Sequence, residues 1–216
     1  AGETTGRVGT VGYDYAGRHF DAPHTTPEAP VLNRLLREMV DHGVTFCAME
    51  ASSHALDQKR TFGLDFRAAL FTNLTQDHLD YHPTLDAYYE AKRRLFRRAE
   101  RGAETGDPVA VLNADDPAGR RLAVEADGRV VPYGMEPGAD YRAVIRSMDG
   151  TGSTIDLETP AGVVNARLGM VGPFNVMNAA GSAAVMSELG YATEAVVRGL
   201  EALTGVPGRR EKVDRG

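Results

Sequence analysis

With only one cysteine, Cys47, among its 216 residues, the chain has no disulfide framework, and a reducing compartment is expected. Cys47 lies inside an apolar run, where filling the core is its expected role. Long apolar stretches are missing as well. None approaches the ~20 residues that span a bilayer, and the N-terminus has no signal-peptide pattern, so no membrane insertion is expected and the cytoplasm is the default location. Basic residues are outnumbered 24 to 30, and a net charge of −6 with a pI near 5.5 leaves no global field for nucleic acid. Arg93, Arg94, Arg97 and Arg98 form a local basic cluster, which reads as a solvated helix face. Two catalytic signatures are also absent. Without a G-x-S-x-G elbow, the adjacent Ser52, Ser53 and His54 do not make a hydrolase triad. Without a G-x-x-x-x-G-K-[ST] loop, the chain alone is not expected to hold ATP productively.

What is present is enough to build a substantial core, since 42% of the residues are hydrophobic. Gly6 to Tyr15 reads as extended structure leading into the polar loop His24-Thr25-Thr26-Pro27. There Thr26 suits a helix cap and Pro27 a first turn. Val31, Leu32, Leu35, Leu36, Met39 and Val40 recur at helical spacing until His42-Gly43. Val44 to Met49 and Ala68 to Phe71 read as short buried strands. A helix is expected from about Leu85 to Arg98, a strand over Val109 to Leu112 and a helix over Pro117 to Glu125. This alternation predicts a doubly wound α/β fold, a mostly parallel sheet flanked by helices. Asp149-Gly150-Thr151-Gly152 and Thr159-Pro160-Ala161-Gly162 are hairpin signals, so a small antiparallel β subdomain is expected over about residues 140–171. Two helices follow, roughly Asn175 to Leu189 and Ala192 to Leu203. Residues 1–205 form one domain in this reading and 206–216 a linker.

Open α/β sheets bind ligands beyond the carboxyl ends of their strands, and that is where the chemistry-bearing residues gather. Glu50 ends the Val44 to Met49 run, where a carboxylate suits a hard cation such as Mg²⁺ or, equally, a helix cap. Asp77, His78, Asp80 and His82 follow the next strand and could approach Glu50 if the two strands are neighbours. Taken alone, His78 reads as an ordinary polar residue. Lys92 falls on the apolar face of its helix with Leu85, Tyr88, Leu95 and Phe96. Desolvation there would lower its pKa and give an amine able to take up carbon dioxide as a carbamate; a snorkelling lysine is the other reading.

Taken together, the segments resemble the central domain of the Mur ligases, most closely the MurE type. The resemblance rests on Gly9-Thr10-Val11-Gly12, Thr25-Thr26-Pro27-Glu28-Ala29, Met49 to Arg60, Phe71 to His82, Tyr89-Glu90-Ala91-Lys92, Asn113-Ala114-Asp115-Asp116, Gly172 to Asn178 and Pro207-Gly208-Arg209. It covers nearly the whole chain, and the order and spacing of these segments are highly specific. It implies an ATP-dependent ligase that adds the third amino acid, diaminopimelate or lysine, to a UDP-N-acetylmuramoyl dipeptide in peptidoglycan synthesis. By the same resemblance Lys92 would be carbamylated to N6-carboxylysine and, with Glu50 and His78, organise Mg²⁺ around the ATP phosphates. His24, Thr25, Thr26, Ser52, Gln58 and Arg60 would contact the muramoyl peptide, with His24 standing where asparagine is common. Asn175, Asn178 and Arg209 would lie at the nucleotide, while Thr72, Asn73 and Asp77 would shape a loop.

Family members carry the phosphate loop just before the point matching Ala1 and a C-terminal domain after the point matching Gly216. The chain is therefore expected to be a piece of a ligase, inactive alone and with apolar surface exposed. A non-catalytic muramoyl-peptide-binding module is the rival from another class. A metal-dependent hydrolase lacks both an H-x-H pair and a barrel-like strand count.

Overall fold

The structure, a computed structural model, describes residues 3–75, 80–102 and 106–203. They divide into two compact units, residues 1–64 with 78–104 and residues 65–77 with 105–216.

In the first unit, β1 (Thr5–Gly9), β2 (Gly12–Tyr15), β3 (Arg18–Phe20) and β4 (Phe46–Met49) form a sheet in the order β3-β2-β1-β4. The expected single extended stretch from Gly6 to Tyr15 is instead a hairpin. Thr10 and Val11 make its turn between the paired Gly9 and Gly12, and Gly12 adopts a φ of 150° that favours glycine. β4 lies parallel to β1, with Val8 opposite Met49, so the β1–β2 turn and Glu50 emerge at the same end of the sheet. The crossover between the two halves is α1 (Ala29–Asp41), which buries Leu32, Leu35 and Met39. Gly6 admits this helix closely, since a Cβ there would stand 2.8 Å from Met39 Sδ. Thr26 does not cap α1; Glu28 occupies that position, and the Thr26 hydroxyl is turned to Glu50 instead.

α2 (Ser53–Asp57) is capped by the Ser52 hydroxyl, and α3 (Leu85–Arg93) by Thr84. The long helix expected through Arg98 stops at Arg93, passes through a 3₁₀ turn over Arg94–Phe96 and resumes as α4 (Arg98–Arg101). The arginine cluster is largely paired rather than solvated: Arg93 reaches Glu90 and Glu100 at 2.8 and 2.9 Å, and Arg94 reaches Asp57 at 3.0 Å. Cys47 and Ala48 on β4 are exposed, so Cys47 does not fill the core. Among the described residues the other edge of β4 pairs with no strand. An edge of this kind presents unpaired backbone N–H and C=O groups.

The second unit holds β5 (Ala68–Phe71), β6 (Val109–Asn113), β7 (Val130–Gly134), β8 (Tyr141–Asp149), β9 (Gly152–Thr159) and β10 (Gly162–Leu168), hydrogen-bonded in the order β10-β9-β8-β7-β6-β5. β5 to β8 run parallel and β8 to β10 antiparallel. Both expected hairpins are present, and β8 joins the parallel strands at Tyr133↔Tyr141. β4 and β5 are not hydrogen-bonded neighbours, so that route for bringing residues 77–82 to Glu50 does not exist among the described strands. α5 (Pro117–Glu125), α6 (Pro173–Glu188) and α7 (Thr193–Glu201) complete the unit. α6 packs its Ala179, Ala180, Ala183 and Ala184 face into the core around Tyr133, Ile155 and Leu168. Small side chains allow that close approach, and a Cβ on Gly181 would come within 2.9 Å of the Tyr133 ring.

Candidate functional site at the carboxyl end of the small sheet

Five of the residues expected to contact a peptide substrate, Thr25, Thr26, Ser52, Gln58 and Arg60, form one hydrogen-bonded network within the first unit, and His24 stands outside it. Buried Thr26 is its hub. Its hydroxyl donates to the Glu50 carbonyl at 2.8 Å and accepts from the Ser52 amide at 3.1 Å, which fixes the 24–28 loop against the chain leaving β4. Arg60 Nη1 donates to the Thr26 carbonyl at 2.8 Å. Its Nε and Nη2 donate to Gln58 Oε1 at 2.9 and 2.6 Å, and Nη2 pairs with Glu28 at 2.8 Å. Four of the five guanidinium N–H donors are thereby used. Gln58 Nε2 reaches the Tyr81 hydroxyl at 3.3 Å, and that hydroxyl donates to Asp57 at 2.9 Å. His24 is exposed. Its carbonyl accepts from the Tyr13 hydroxyl at 2.5 Å, and burial pushes the Tyr13 phenol above its ordinary pKa.

The Glu50 carboxylate sits at the open end of β4. Thr10 Oγ1 donates to Oε2 at 2.8 Å, the Thr10 amide approaches Oε1 at 3.4 Å, and Thr25 Oγ1 lies 3.1 Å from Thr10 Oγ1. Gly9 makes room for this carboxylate, since a Cβ there would lie 2.6 Å from Oε1. A carboxylate oriented by neutral donors, exposed at the end of its strand, fits a hard divalent cation. Lys92 is half-buried, and its Nζ stands 5.1 Å from the centroid of buried Tyr88. His82 stacks on the Tyr88 ring, with centroids 5.2 Å apart, and its Nε2 meets buried Ser53 Oγ at 2.9 Å. His78 and Arg209 lie outside the described residues. No cluster of three or more His, Cys, Asp or Glu side chains able to hold a metal occurs among the described residues.

In the second unit, Asn175 and Asn178 sit one turn apart at the start of α6; Asn175 Nδ2 donates to the Val171 carbonyl at 2.9 Å, and Asn178 is exposed. The Asn113 to Asp116 motif is a fastening. Asn113 Nδ2 donates to the Thr72 carbonyl at 2.7 Å, Asp115 accepts from the Met135 amide at 2.7 Å, and Asp116 caps α5 while accepting from the Leu74 amide at 3.1 Å. It ties together the loops beyond β5, β6 and β7.

Sequence reasoning missed Thr10, Glu28 and Tyr81 as members of the first network, and Tyr13 as the partner of the His24 carbonyl. Thr10 did have a signal, the short G-T-x-G turn, but its meaning depends on the β1–β4 pairing, which joins residues about 40 positions apart.

An α/β fold with a polar, carboxylate-bearing cluster beyond a parallel strand places the chain in the doubly wound class, whose members bind ligands at the carboxyl ends of their strands. The chain belongs to the Mur ligase middle domain family, whose profile matches residues 1–186. Among curated proteins it is 42% identical to the UDP-N-acetylmuramoyl-L-alanyl-D-glutamate–2,6-diaminopimelate ligase of Geobacter metallireducens, over 99% of this chain and 42% of that protein. It is also 42% identical to the ligase of the same name from Bacillus licheniformis, over 100% of this chain and 44% of the relative. A solved structure of such a ligase superimposes with a TM-score of 0.84 at 32% identity, covering 96% of this chain and 42% of that one. A MurF ligase of Thermotoga maritima in complex with ADP shares the fold, with a TM-score of 0.62 at 20% identity over 79% of this chain and 39% of that one. The chain thus spans less than half the length of the curated relatives it matches.

Proposed function

We propose that this chain is the central part of an ATP-dependent ligase that joins diaminopimelate to UDP-N-acetylmuramoyl-L-alanyl-D-glutamate in the cytoplasmic stage of peptidoglycan synthesis. The observation that carries the reading is the single network linking Thr25, Thr26, Ser52, Gln58 and Arg60 to the Glu50 residue. Diaminopimelate is chosen because the relatives aligned over the whole chain carry it in their names. No helix among the described residues is long and apolar enough to cross a membrane.

In the proposed reaction a carboxylate oxygen of the D-glutamate attacks the γ-phosphorus of ATP, releasing ADP and forming an acyl phosphate. The amine of diaminopimelate then attacks the acyl carbon, phosphate leaves, and the amine loses a proton. Arg60, with its one remaining N–H donor, and the Thr25 hydroxyl would hold the peptide. Ser52 and Thr26 keep that loop from moving, which preserves the alignment of the reacting atoms. Asn175 and Asn178 would serve the nucleotide, as would Arg209. Glu50, His78 and a carbamylated Lys92 would hold Mg²⁺, which when bound offsets the negative charge that builds on the transferring phosphoryl oxygens.

The intact protein from the native gene should release ADP only when the muramoyl dipeptide and diaminopimelate are both present. Lys92→Ala should abolish that turnover, with partial rescue by formate or acetate. Full activity in Lys92→Ala would remove the metal-organising role of Lys92, and ADP release that ignores the dipeptide would remove the ligase reading.

A further inference from the structure

We infer that Thr10 is a positioning residue that orients the Glu50 carboxylate for its cation and ties it to the peptide-facing Thr25. The inference rests on the proposed role of Glu50 as a metal ligand.

A hydroxyl has one proton to give and two lone pairs to receive. At 2.8 Å from an ionised oxygen, the Thr10 proton is committed to Glu50 Oε2, because a charge-assisted bond outcompetes a neutral one. The contact between Thr25 Oγ1 and Thr10 Oγ1 at 3.1 Å is then donated by Thr25. The result is a directed chain from Thr25 through Thr10 to Glu50, in which each hydroxyl strengthens the next. The Thr10 amide faces the other carboxylate oxygen at 3.4 Å, so residue 10 addresses both oxygens and restricts rotation of the carboxylate plane. Gly9 completes the fit by leaving out the one atom, a Cβ 2.6 Å from Oε1, that would push the carboxylate away.

Sheet topology explains why this turn is the one to orient Glu50, since the parallel β1–β4 register places the β1–β2 turn beside the residue that follows Met49. A carboxylate held by neutral donors has spare lone pairs for a cation, and orienting partners of this kind typically contribute roughly 10–100-fold to metal affinity. Through the same chain of hydroxyls, occupancy at Thr25 should be felt at the metal.

The test is Mn²⁺ binding to the intact protein with ADP, followed by electron paramagnetic resonance, beside thermal melting of each variant. Thr10→Val keeps the shape and removes the hydroxyl, and it should weaken Mn²⁺ binding about 10-fold or more while Thr10→Ser stays within about threefold of the parent. Gly9→Ala retains the hydroxyl but displaces the carboxylate, so it should show the same loss and serves as the second probe if Thr10→Val does not fold. Glu50→Gln distinguishes failure of the orienting role from failure of the metal role beneath it. If Glu50→Gln weakens Mn²⁺ binding while folded Thr10→Val and Gly9→Ala do not, the role of Thr10 is overturned. Unchanged binding in Glu50→Gln would overturn the metal role of Glu50 and the inference with it.

Discussion

Arg60 shows how little of a site residue's work is visible in its charge alone. It neutralises Glu28, but its geometry holds the Thr26 carbonyl and the Gln58 amide in place. Because its side chain is only 12% exposed and anchored at three acceptors, the arginine cannot swing freely toward a ligand. Arg60→Ala should therefore cost about 1.5–3 kcal/mol of interaction, seen as a rise in KM for the muramoyl dipeptide of roughly 10–100-fold. Arg60→Lys should recover little of it, since an ammonium cannot replace a fork that serves three acceptors. An unchanged KM in Arg60→Ala would mean that the network only braces the loop. The same residue scale shows what the sequence could not reveal. Thr26 reads as a helix cap because Thr-Pro is a good start signal, but its hydroxyl is claimed by the Glu50 carbonyl, a partner 24 residues away.

At the scale of elements, spacing and turn chemistry are informative wherever the determinants are local. β5, α5 and both hairpins stand where periodicity and Gly-rich turns place them, within a residue or two. The failures come from non-local causes. The 3₁₀ turn at Arg94–Phe96 interrupts an otherwise good helical pattern where Arg94 is drawn to Asp57, from α2. The exposure of Cys47 follows from what packs on the faces of β4, a tertiary matter that an apolar run does not encode. Close packing of β6 on α5 yields a direct test. A Cβ at Gly119 would meet the Asn113 carbonyl oxygen at 2.0 Å, and a backbone acceptor cannot step aside. Gly119→Ala should cost about 1–3 kcal/mol or more and lower the melting temperature by roughly 5 °C. Gly199→Ala on α7, which meets nothing within 4 Å, should be neutral or stabilise by up to about 1 kcal/mol. Equal effects at the two positions would contradict this packing.

The β8–β9 turn carries its own pH dependence. Asp149 Oδ1 accepts from the Thr151 hydroxyl and amide at 2.5 and 2.7 Å, and Arg167 lies 3.1 Å from the other oxygen. These donors, Thr151 first, hold the Asp149 carboxyl below its ordinary pKa. A depressed folded-state pKa means that the unfolded chain binds the proton more readily, so stability from this turn is complete above the ordinary carboxylate range. It is lost as pH falls below about 4. Asp149→Asn should flatten the acid side of the melting profile between about pH 5 and pH 2.5, while an unaltered profile would rule out the turn as a contributor.

For the molecule as a whole, family membership is secured by sequence and fold together, while the chemistry is distributed. The Thr26–Arg60 network and Glu50 lie in one compact unit, and Asn175 and Asn178 lie in the other. The 216 residues also correspond to less than half of each full-length relative. Ligation is therefore a property proposed for the complete protein, to which this chain would bring the residues that grip the acceptor carboxylate and its cation. That claim is tested most directly by following oxygen. The intact protein would be supplied with ATP, diaminopimelate and UDP-N-acetylmuramoyl-L-alanyl-D-glutamate labelled with ¹⁸O in the reacting carboxylate, and the released phosphate read by ³¹P NMR. The expected result is amide product together with phosphate carrying one ¹⁸O per turnover, because the substrate oxygen attacks phosphorus and leaves with it. Amide formation with unlabelled phosphate, or phosphate release without amide, would contradict the proposed ligation.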